Sequence, residues 1–336
     1  GRLNPPGVTF GRKRAGTMEA SCSILALPAA ELPQSGGLGP SEYSQSFSKD
    51  PDRNACVVTG FAQASAEGAR LVAWAERLCS FGEEASLEVR FWQGHEALEG
   101  EAFEGQLRRQ LRDDLTKLCE GLAPGPKPSG KRKKRKRGAG VAEGERLFGA
   151  EELERLVAHI LSMMRLYTAA LGDDAGGEPS DLFWAVSLDL RCHRNRCGLD
   201  INNPSACIKF HDDFVRLRLV STLCGDGTVL APNSAVDWDL YRQGPPEIQP
   251  GEDEAFTAQV KAWNLQVTTK DFPTNTGDAV LMKGGRSALS HPCLHRAPYT
   301  ADCTDSGDAC CKRLLVSVEL VSAEAKAQLI EAFKEE

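Results

Sequence analysis

Apolar residues recur at helical spacing in four segments of the chain. The clearest is Ala150–Leu171, in which residues three and four apart build one broad apolar face: Leu153, Leu156, Val157, Ile160, Leu161, Met164 and Leu166. The same periodicity predicts helices over residues 66–79, 102–122 and 323–334, with Ser322 as the N-cap of the last. Each helix has one apolar face, and we expect that face to pack on a core.

Shorter stretches rich in β-branched and aromatic residues predict strands. They cover residues 55–59, 87–92, 181–190, 206–210, 215–223, 277–284 and 312–320, and the two stretches that flank residues 211–213 form two strands or one bent strand. The stretch from residue 277 to 284 carries a turn at each end. The pattern predicts an α+β protein in which helices pack outside a mostly antiparallel, jelly-roll barrel.

The candidate chemistry lies in an H-x-D motif formed by His211 and Asp213. The segment is predicted to be a strand, and side chains two residues apart on a strand share a face. A distant third ligand, His295, would complete a set of two imidazoles and one carboxylate. That set is the facial triad of non-haem Fe(II), which leaves positions open for substrate and oxygen.

Other interpretations of the same residues stay open at this stage. His291 is a rival for the third ligand, although it precedes a proline in a predicted loop. Asp212 is a rival carboxylate, although strand alternation points it away from His211. His211 could also be an ordinary hydrogen-bonded histidine of the barrel, without any metal.

The order of these motifs suits a double-stranded, cupin-like β-helix. H-x-D comes early, a Gly-Asp turn leads into a late strand, His295 lies on the next strand and Arg313 opens the last. Arg313 is the candidate to bind a dicarboxylate cosubstrate such as 2-oxoglutarate, because a guanidinium can hold a carboxylate through two hydrogen bonds. Arg218 is a second candidate for anion binding, or it pairs with an acidic residue. Arg296 follows a ligand directly and is expected to face outward.

Several of these motifs together resemble a known family. They are Cys207-x-x-Phe210-His211-x-Asp213-x-Val215-x-x-Arg218-Leu219, Gly225-x-Gly227-Thr228, Gly277-Asp278-x-x-x-x-Lys283-Gly284 and His295-Arg296-x-Pro298. In this order they resemble the domain of unknown function 1826 family, known mainly from bacteria. The resemblance implies that His211, Asp213 and His295 belong to one pattern, but the family brings no established activity. A cysteine-rich insert between Pro298 and Arg313 departs from the family.

Composition narrows the class of protein. The chain has 336 residues, 41% of them hydrophobic, and this suits one domain of about 200–250 residues with appendages. A formal net charge of −7 argues against a general nucleic-acid binder. No run reaches the roughly 18 apolar residues that a membrane helix needs. We therefore expect an intracellular protein, cytoplasmic or nuclear, that does not contact a membrane.

Composition also divides the chain into four parts. Residues 1–53 are rich in Gly, Pro and Ser and are predicted to be a disordered extension. Residues 54–122 are expected to form an N-terminal α/β portion that packs on the barrel. Residues 123–148 form a Pro/Gly linker, and residues 149–336 form the jelly-roll metal-binding domain with its C-terminal helix. Met18 is the first methionine, and the residues before it are expected to be an upstream extension.

The linker carries seven consecutive basic residues: Lys131, Arg132, Lys133, Lys134, Arg135, Lys136 and Arg137. Such a run cannot be buried in a core, because the like charges repel one another. It is a candidate nuclear localisation signal that would bind an import receptor. Contact with nucleic acid or an acidic partner, and a plain solvated loop, are the alternatives.

Twelve cysteines are many for an intracellular protein of this size. Two local clusters stand out, Cys192 with Cys197 and Cys303 with Cys310 and Cys311, but neither has zinc-finger spacing. Free thiols are the simplest interpretation. A structural zinc site or a redox-linked pair that joins the clusters is the alternative.

Two functions from different classes follow from the motifs. In the first, the protein is an Fe(II)- and 2-oxoglutarate-dependent oxygenase of the hydroxylase type, and its substrate is an unknown small molecule or protein. In the second, the same residues bind zinc or iron without oxidation, as a non-enzymatic cupin-like protein. Metal identity and 2-oxoglutarate turnover distinguish the two.

Overall fold

The computed structural model describes residues 24–29, 47, 50, 52–80, 87–94, seven positions between 105 and 113, 149–171, 182–192, 208–245, 253–286, 291–299 and 312–327. Its strands and helices follow one another in this order: β1 (Ile24–Pro28), β2 (Ala55–Thr59), α1 (Ala66–Ser80), β3 (Leu87–Gly94), α2 (Ala150–Leu171), β4 (Leu182–Cys192), β5 (Leu217–Cys224), β6 (Val229–Leu230), α3 (Trp238–Gln243), α4 (Asp253–Val267), β7 (Phe272–Pro273), β8 (Ala279–Lys283), β9 (His295–Arg296) and β10 (Lys312–Ser322).

The described strands form two sheets. Seven strands pair in the order β1-β2-β8-β5-β10-β4-β3, and three short ones pair in the order β7-β6-β9. Neighbouring strands are antiparallel except β1 and β2, which are parallel. The predicted α+β architecture is therefore confirmed. The predicted closed barrel is not, because strand pairing in the described part leaves the two sheets separate.

The large sheet has two differently covered faces. On β10, Leu314, Val316 and Val318 point into the cluster that holds the apolar faces of α1 and α2. Leu315 lies in a second cluster together with Leu230 of the small sheet. Since side chains alternate along a strand, the helices cover one face and the small sheet packs against the other.

Helix α2 is the main support behind the large sheet. Four of its apolar side chains are fully buried: Leu156, Ile160, Met163 and Met164. Each such burial contributes about 1.5–3 kcal/mol, and both methionines are core residues. The Tyr167 hydroxyl donates to the carbonyl oxygen of Leu217 at 2.9 Å and accepts from the Leu320 backbone N–H at 3.2 Å. These bonds tie α2 to β5 and β10.

His159 is a titratable group of α2 that lies in this core. One of its ring nitrogens is 3.1 Å from Ser221 Oγ, and burial lowers the pKa of His159 from 6.5 to about 4. The unfolded chain therefore binds this proton more tightly than the folded protein does. The free energy of unfolding is therefore highest above the pKa of His159 in the unfolded chain. It decreases as the pH falls toward the pKa of His159 in the folded protein.

We expect the wild type to lose up to about 3 kcal/mol of unfolding free energy, relative to a His159→Gln variant, as the pH falls from 6.5 to about 4. Glutamine keeps a polar group near Ser221 but does not titrate. Urea unfolding of both proteins at a series of pH values measures the difference. If the free energies of unfolding of the two proteins changed equally with pH through this window, His159 would not be the group that titrates.

The helices and strands predicted from periodicity are largely confirmed. Helices α1 and α2 match the predicted bounds to within a residue, and strands β2, β3 and β4 lie where they were expected. All seven described positions between residues 105 and 113 are helical. Residues 323–327 begin the predicted C-terminal helix, and Ser322 Oγ accepts from the Ala325 N–H at 3.2 Å as an N-cap should.

Strands β1, β2 and β3 lie in the N-terminal part of the chain. Ile24–Pro28 pairs with Ala55–Thr59 over five residues, so the predicted disorder does not extend over all of residues 1–53. Within residues 54–122, β2 and β3 join the large sheet itself, and the division of the chain into domains stays a prediction. Strand β1 is an isolated apolar stretch that pairs with β2 at the edge of the sheet. Local composition does not reveal this pairing.

The linker at residues 123–148, with its basic run Lys131 to Arg137, lies outside the described residues. Its role in nuclear import stays a prediction. Within the described ranges, no helix is long and apolar enough to cross a membrane.

Candidate metal centre

His211 and His295 are joined through their backbones. Each donates its N–H to the carbonyl oxygen of the other, at 3.0 and 2.9 Å, and together they form an isolated antiparallel bridge. His295 also pairs with Leu230 of the small sheet. The two imidazole rings lie 4.4 Å apart between centroids. Two residues 84 positions apart in the chain are thus fixed side by side.

Asp213 lies in a loop and not on a strand. The strand predicted across the H-x-D motif is therefore wrong, because His211 forms only a single bridge and regular pairing begins at Leu217. The loop is held by the turn after β8, where Gly285 donates its N–H to the Asp213 carbonyl oxygen at 2.8 Å. A Cβ on Gly284 would lie 2.1 Å from the Val215 carbonyl oxygen, so only glycine permits this approach.

The structure brings the three predicted side chains together. One donor atom from each of His211, Asp213 and His295 lies within 4.8 Å of the others. Asp213 and His295 are buried, whereas His211 is half-buried. Two imidazoles and a carboxylate therefore converge at a point that is close to solvent on the His211 side.

Backbone carbonyls set the tautomer of both imidazoles. Nδ1 of His211 lies 2.9 Å from the Lys209 carbonyl oxygen, and Nδ1 of His295 lies 3.2 Å from that of Cys293. A carbonyl only accepts, so each neutral ring carries its proton on Nδ1 and keeps a lone pair on Nε2. Histidine ligands of metals typically have their second nitrogen hydrogen-bonded in this way.

The Asp213 carboxylate has one satisfied and one unsatisfied oxygen. Oδ1 accepts from Arg218 Nη1 at 2.7 Å. Oδ2 is buried without a hydrogen-bond donor and lies 3.4 Å from His295 Nε2. Burial raises the pKa of Asp213, but the charge of Arg218, together with those of His295 and His211 when these are protonated, outweighs it, so the pKa lies below its usual value.

A buried carboxylate oxygen without a hydrogen-bond donor, 3.4 Å from His295 Nε2 and in one donor group with His211, fits a divalent cation, which would satisfy all three donors at once. The charges nearby agree with this. Asp213, Glu319 and Arg218 together carry a net charge of −1, and Arg218 bridges the two acids. The donor set therefore suits a bound metal ion better than it suits a purely structural triad.

The two rival ligands are engaged elsewhere. Asp212 accepts a hydrogen bond from the Tyr241 hydroxyl. His291 is exposed and stacks on Trp238, with ring centroids 4.4 Å apart and an interplanar angle of 17°. Neither belongs to the group of donors around His211 in the described part of the chain.

Asn264 supports the site but was not foreseen from the sequence. Its side-chain oxygen accepts from the Phe210 N–H at 3.0 Å, and its amide nitrogen donates to the Ile208 carbonyl oxygen at 2.7 Å. The Asn264 amide thus forms hydrogen bonds with the backbone directly before His211, as a neighbouring strand would do in a sheet. Asn264 lies within the helical pattern of α4, which carries no signal for this role.

Arg296 was expected to face outward, but it is 4% exposed. Its guanidinium lies 3.7 Å from the centre of the Tyr299 ring and 5.2 Å from that of Phe210, and it forms an ion pair with Asp271 at 2.5 Å. Phe210 precedes His211, and Arg296 follows His295. The cation–π contact therefore ties the two histidine segments together.

The two arginines proposed for anion binding differ in their surroundings. All three nitrogens of Arg218 have carboxylate partners, Asp213 and Glu319. Arg313 is 4% exposed, and its Nε donates to the Asp226 carbonyl oxygen at 2.8 Å. The role of either in binding a cosubstrate stays a prediction.

The cysteine clusters fall mostly outside the described residues. Cys192 ends β4, but its side chain is not among those described, and neither are Cys197, Cys303, Cys310 and Cys311. Four cysteines have described side chains: Cys56, Cys79 and Cys293 are buried, and Cys224 is half-buried. Burial, together with the charge of Asp213, raises the pKa of the Cys293 thiol, which therefore stays protonated beside the site.

Comparisons with known proteins give distant structural likenesses. No curated protein matches the sequence. IDO from Bacillus thuringiensis aligns with a TM-score of 0.38 and 9% identity, over 87% of this chain and 99% of that one. A full-length Neurospora crassa protein in complex with alpha-KG aligns with a TM-score of 0.38 and 10% identity, over 91% of this chain and 86% of that one.

A family model matches the central and later part of the chain. The matched span contains β4, the H-x-D motif and His295, and it ends before β10 and Arg313. Residues 183–306 match the family described as "Protein of unknown function (DUF1826)", and the resemblance predicted from the motifs is thereby confirmed.

Proposed function

We propose that the protein is a non-haem Fe(II)- and 2-oxoglutarate-dependent oxygenase of the hydroxylase type. The observation that carries the proposal is the convergence of His211, Asp213 and His295, with an unsatisfied Asp213 oxygen 3.4 Å from His295 Nε2. Two imidazoles and one carboxylate on one side of an ion leave its other positions open. The substrate is an unidentified small molecule or protein.

In this proposal the two sheets form a double-stranded, jelly-roll-like β-helix around the site. Leu230 and Leu315 from the two sheets share one apolar cluster, which also contains Cys293 two residues before His295. The inner face of the large sheet then forms the wall opposite the ligands. Arg313 shares that face with Leu315, because the pairing of β10 with β4 is regular from residue 312 to 322.

The residues have distinct tasks. His211, Asp213 and His295 would hold the ion, and Arg313 would bind the far carboxylate of 2-oxoglutarate through its guanidinium. Bound Fe(II) and 2-oxoglutarate supply the activation of O2, so that one oxygen atom enters a C–H bond of the substrate and the other enters succinate, with release of CO2. The Lys209 and Cys293 carbonyls orient the two imidazoles through Nδ1, and Asp213 is buried.

Anaerobic reconstitution tests the proposal. Metal-free protein is loaded with Fe(II), mixed with 2-oxoglutarate and then exposed to oxygen, and succinate is measured by mass spectrometry. We expect slow succinate formation without substrate, which requires Fe(II), 2-oxoglutarate and oxygen together and is absent with Zn(II). Tight metal binding without any succinate, and without an effect of 2-oxoglutarate on the optical spectrum, would favour the cupin-like zinc or iron binder instead.

A further inference from the structure

A chain of three charged side chains runs from the candidate ligand Asp213 to β10. Arg218 Nη1 donates to Asp213 Oδ1 at 2.7 Å, and its Nε donates to Glu319 Oε2 at 2.8 Å. Nη2 lies 2.7 Å from the same Glu319 oxygen in an ion pair. We infer that Arg218, held by Glu319, is a positioning residue that confines Asp213 to metal ligation through Oδ2 alone. The inference rests on the proposed function.

The position of Arg218 is fixed from several sides. Arg218 and Glu319 are direct partners in the pairing of β5 with β10. The residues next to them, Leu217 and Leu320, are both bonded to the Tyr167 hydroxyl from the opposite face of the sheet. Two hydrogen bonds, the ion pair with Glu319 and a fixed strand register leave the guanidinium little freedom to turn toward another ligand.

That position determines what Asp213 can do. A carboxylate can bind an ion through one oxygen or through both. Oδ1 is already the acceptor of a charge-assisted hydrogen bond, and a cation that approached it would meet the positive charge of Arg218. Oδ2 has no donor and lies 3.4 Å from His295 Nε2, so it is the oxygen left for the ion.

Ligation through one oxygen has a consequence for the number of open positions. An octahedral ion with two imidazoles and one carboxylate oxygen keeps three open coordination positions. These are enough for a cosubstrate that binds through two of its atoms and for one oxygen molecule. If both oxygens were bound, only two positions would remain. Affinity is a poor measure of this effect, because removal of Arg218 disorders Asp213 but also removes a positive charge that repels the ion. The number of bound waters is the direct measure.

Mn(II) is a suitable probe because it prefers octahedral oxygen and nitrogen sites and has a sharp electron paramagnetic resonance signal. Broadening of this signal in ¹⁷O-enriched water counts the water molecules on the ion. We expect three waters in the wild type and two in Arg218→Gln, where Oδ1 becomes available. The matched control is Arg216→Gln, which removes the same charge from an exposed side chain two residues away and should keep three.

Arg218→Gln leaves Glu319 buried without a cation, which can prevent folding. The charge-balanced double variant Arg218→Gln/Glu319→Gln avoids this and should also hold two waters. Circular dichroism verifies the fold of each variant. Two waters in the wild type, or three in a folded variant without Arg218, would overturn the inference. Failure of the wild type to bind Mn(II) or Fe(II) at all would instead contradict the proposed function.

Discussion

An Asp213→Asn variant is expected to bind Fe(II) more than about 100-fold more weakly than the wild type. Substitution of a residue that only supports a metal ligand already lowers metal affinity about 10–100-fold, and the loss of a ligand should cost more. The substitution replaces an ionised ligand by a neutral amide of the same shape. Glu319 still pairs with Arg218 in the variant, so the fold should persist. Anaerobic titration calorimetry with Fe(II), together with metal content after gel filtration, measures the loss.

The neighbouring Asp212 offers a matched control. It is also acidic and half-buried, but its carboxylate accepts from Tyr241 and does not join the donor group. Asp212→Asn should therefore keep Fe(II) affinity within a few-fold of the wild type. If both variants bound Fe(II) equally well, Asp213 would not be a ligand and the site would need another carboxylate.

Periodicity predicted the helical layer well, because helix α2 buries one face and exposes the other over its whole length. The apolar positions between Ala150 and Leu171 repeat every three or four residues, and the structure buries that stripe against the large sheet. Strand β4 was equally visible as a run of apolar and aromatic residues. Elements of this kind are encoded locally, so a single sequence is enough to find them.

The sequence predicted which three side chains converge, but for a partly wrong reason. Strand alternation was expected to place His211 and Asp213 on one face, whereas Asp213 lies in a loop. The true cause is the backbone bridge between His211 and His295, together with the glycine turn that holds the Asp213 carbonyl. Both are long-range contacts, and spacing within a motif does not report them.

The residues that support the ligands were harder to foresee. Arg218 and Glu319 are 101 positions apart and meet only because β5 and β10 are neighbours in the sheet. Asn264 reaches the segment before His211 from a helix 54 positions later. A polar residue with a structural partner far along the chain looks like any surface residue, because its burial follows from topology and not from its neighbours.

Topology also decides which face of β10 matters for a cosubstrate. Leu314, Val316 and Val318 alternate as the barrel-facing residues of a strand would, but they pack against the helices. Arg313 and Leu315 point the other way, toward the cluster shared with the small sheet. Arg313 therefore lies on the side of the large sheet that faces the small sheet, which contains His295. Its Nη2 lies 3.5 Å from Thr228 Oγ1, just before the strand that pairs with His295.

We expect Arg313→Ala to weaken 2-oxoglutarate binding by at least about 100-fold, because hydrogen bonds to a charged group contribute about 1.5–3 kcal/mol each and a guanidinium makes two with a carboxylate. Fe(II) or Mn(II) affinity should stay near the wild-type value, since Arg313 contacts none of the three ligands in the bonds described. Anaerobic calorimetry of the metal-loaded protein with 2-oxoglutarate measures this directly.

Arg313→Lys keeps the charge but loses the planar pair of donors, so its 2-oxoglutarate affinity should lie between those of the wild type and Arg313→Ala. Arg286→Ala, at an exposed arginine on the Phe214 ring, is the control and should bind as the wild type does. Equal 2-oxoglutarate affinity in wild type and Arg313→Ala would place the cosubstrate carboxylate on another cation.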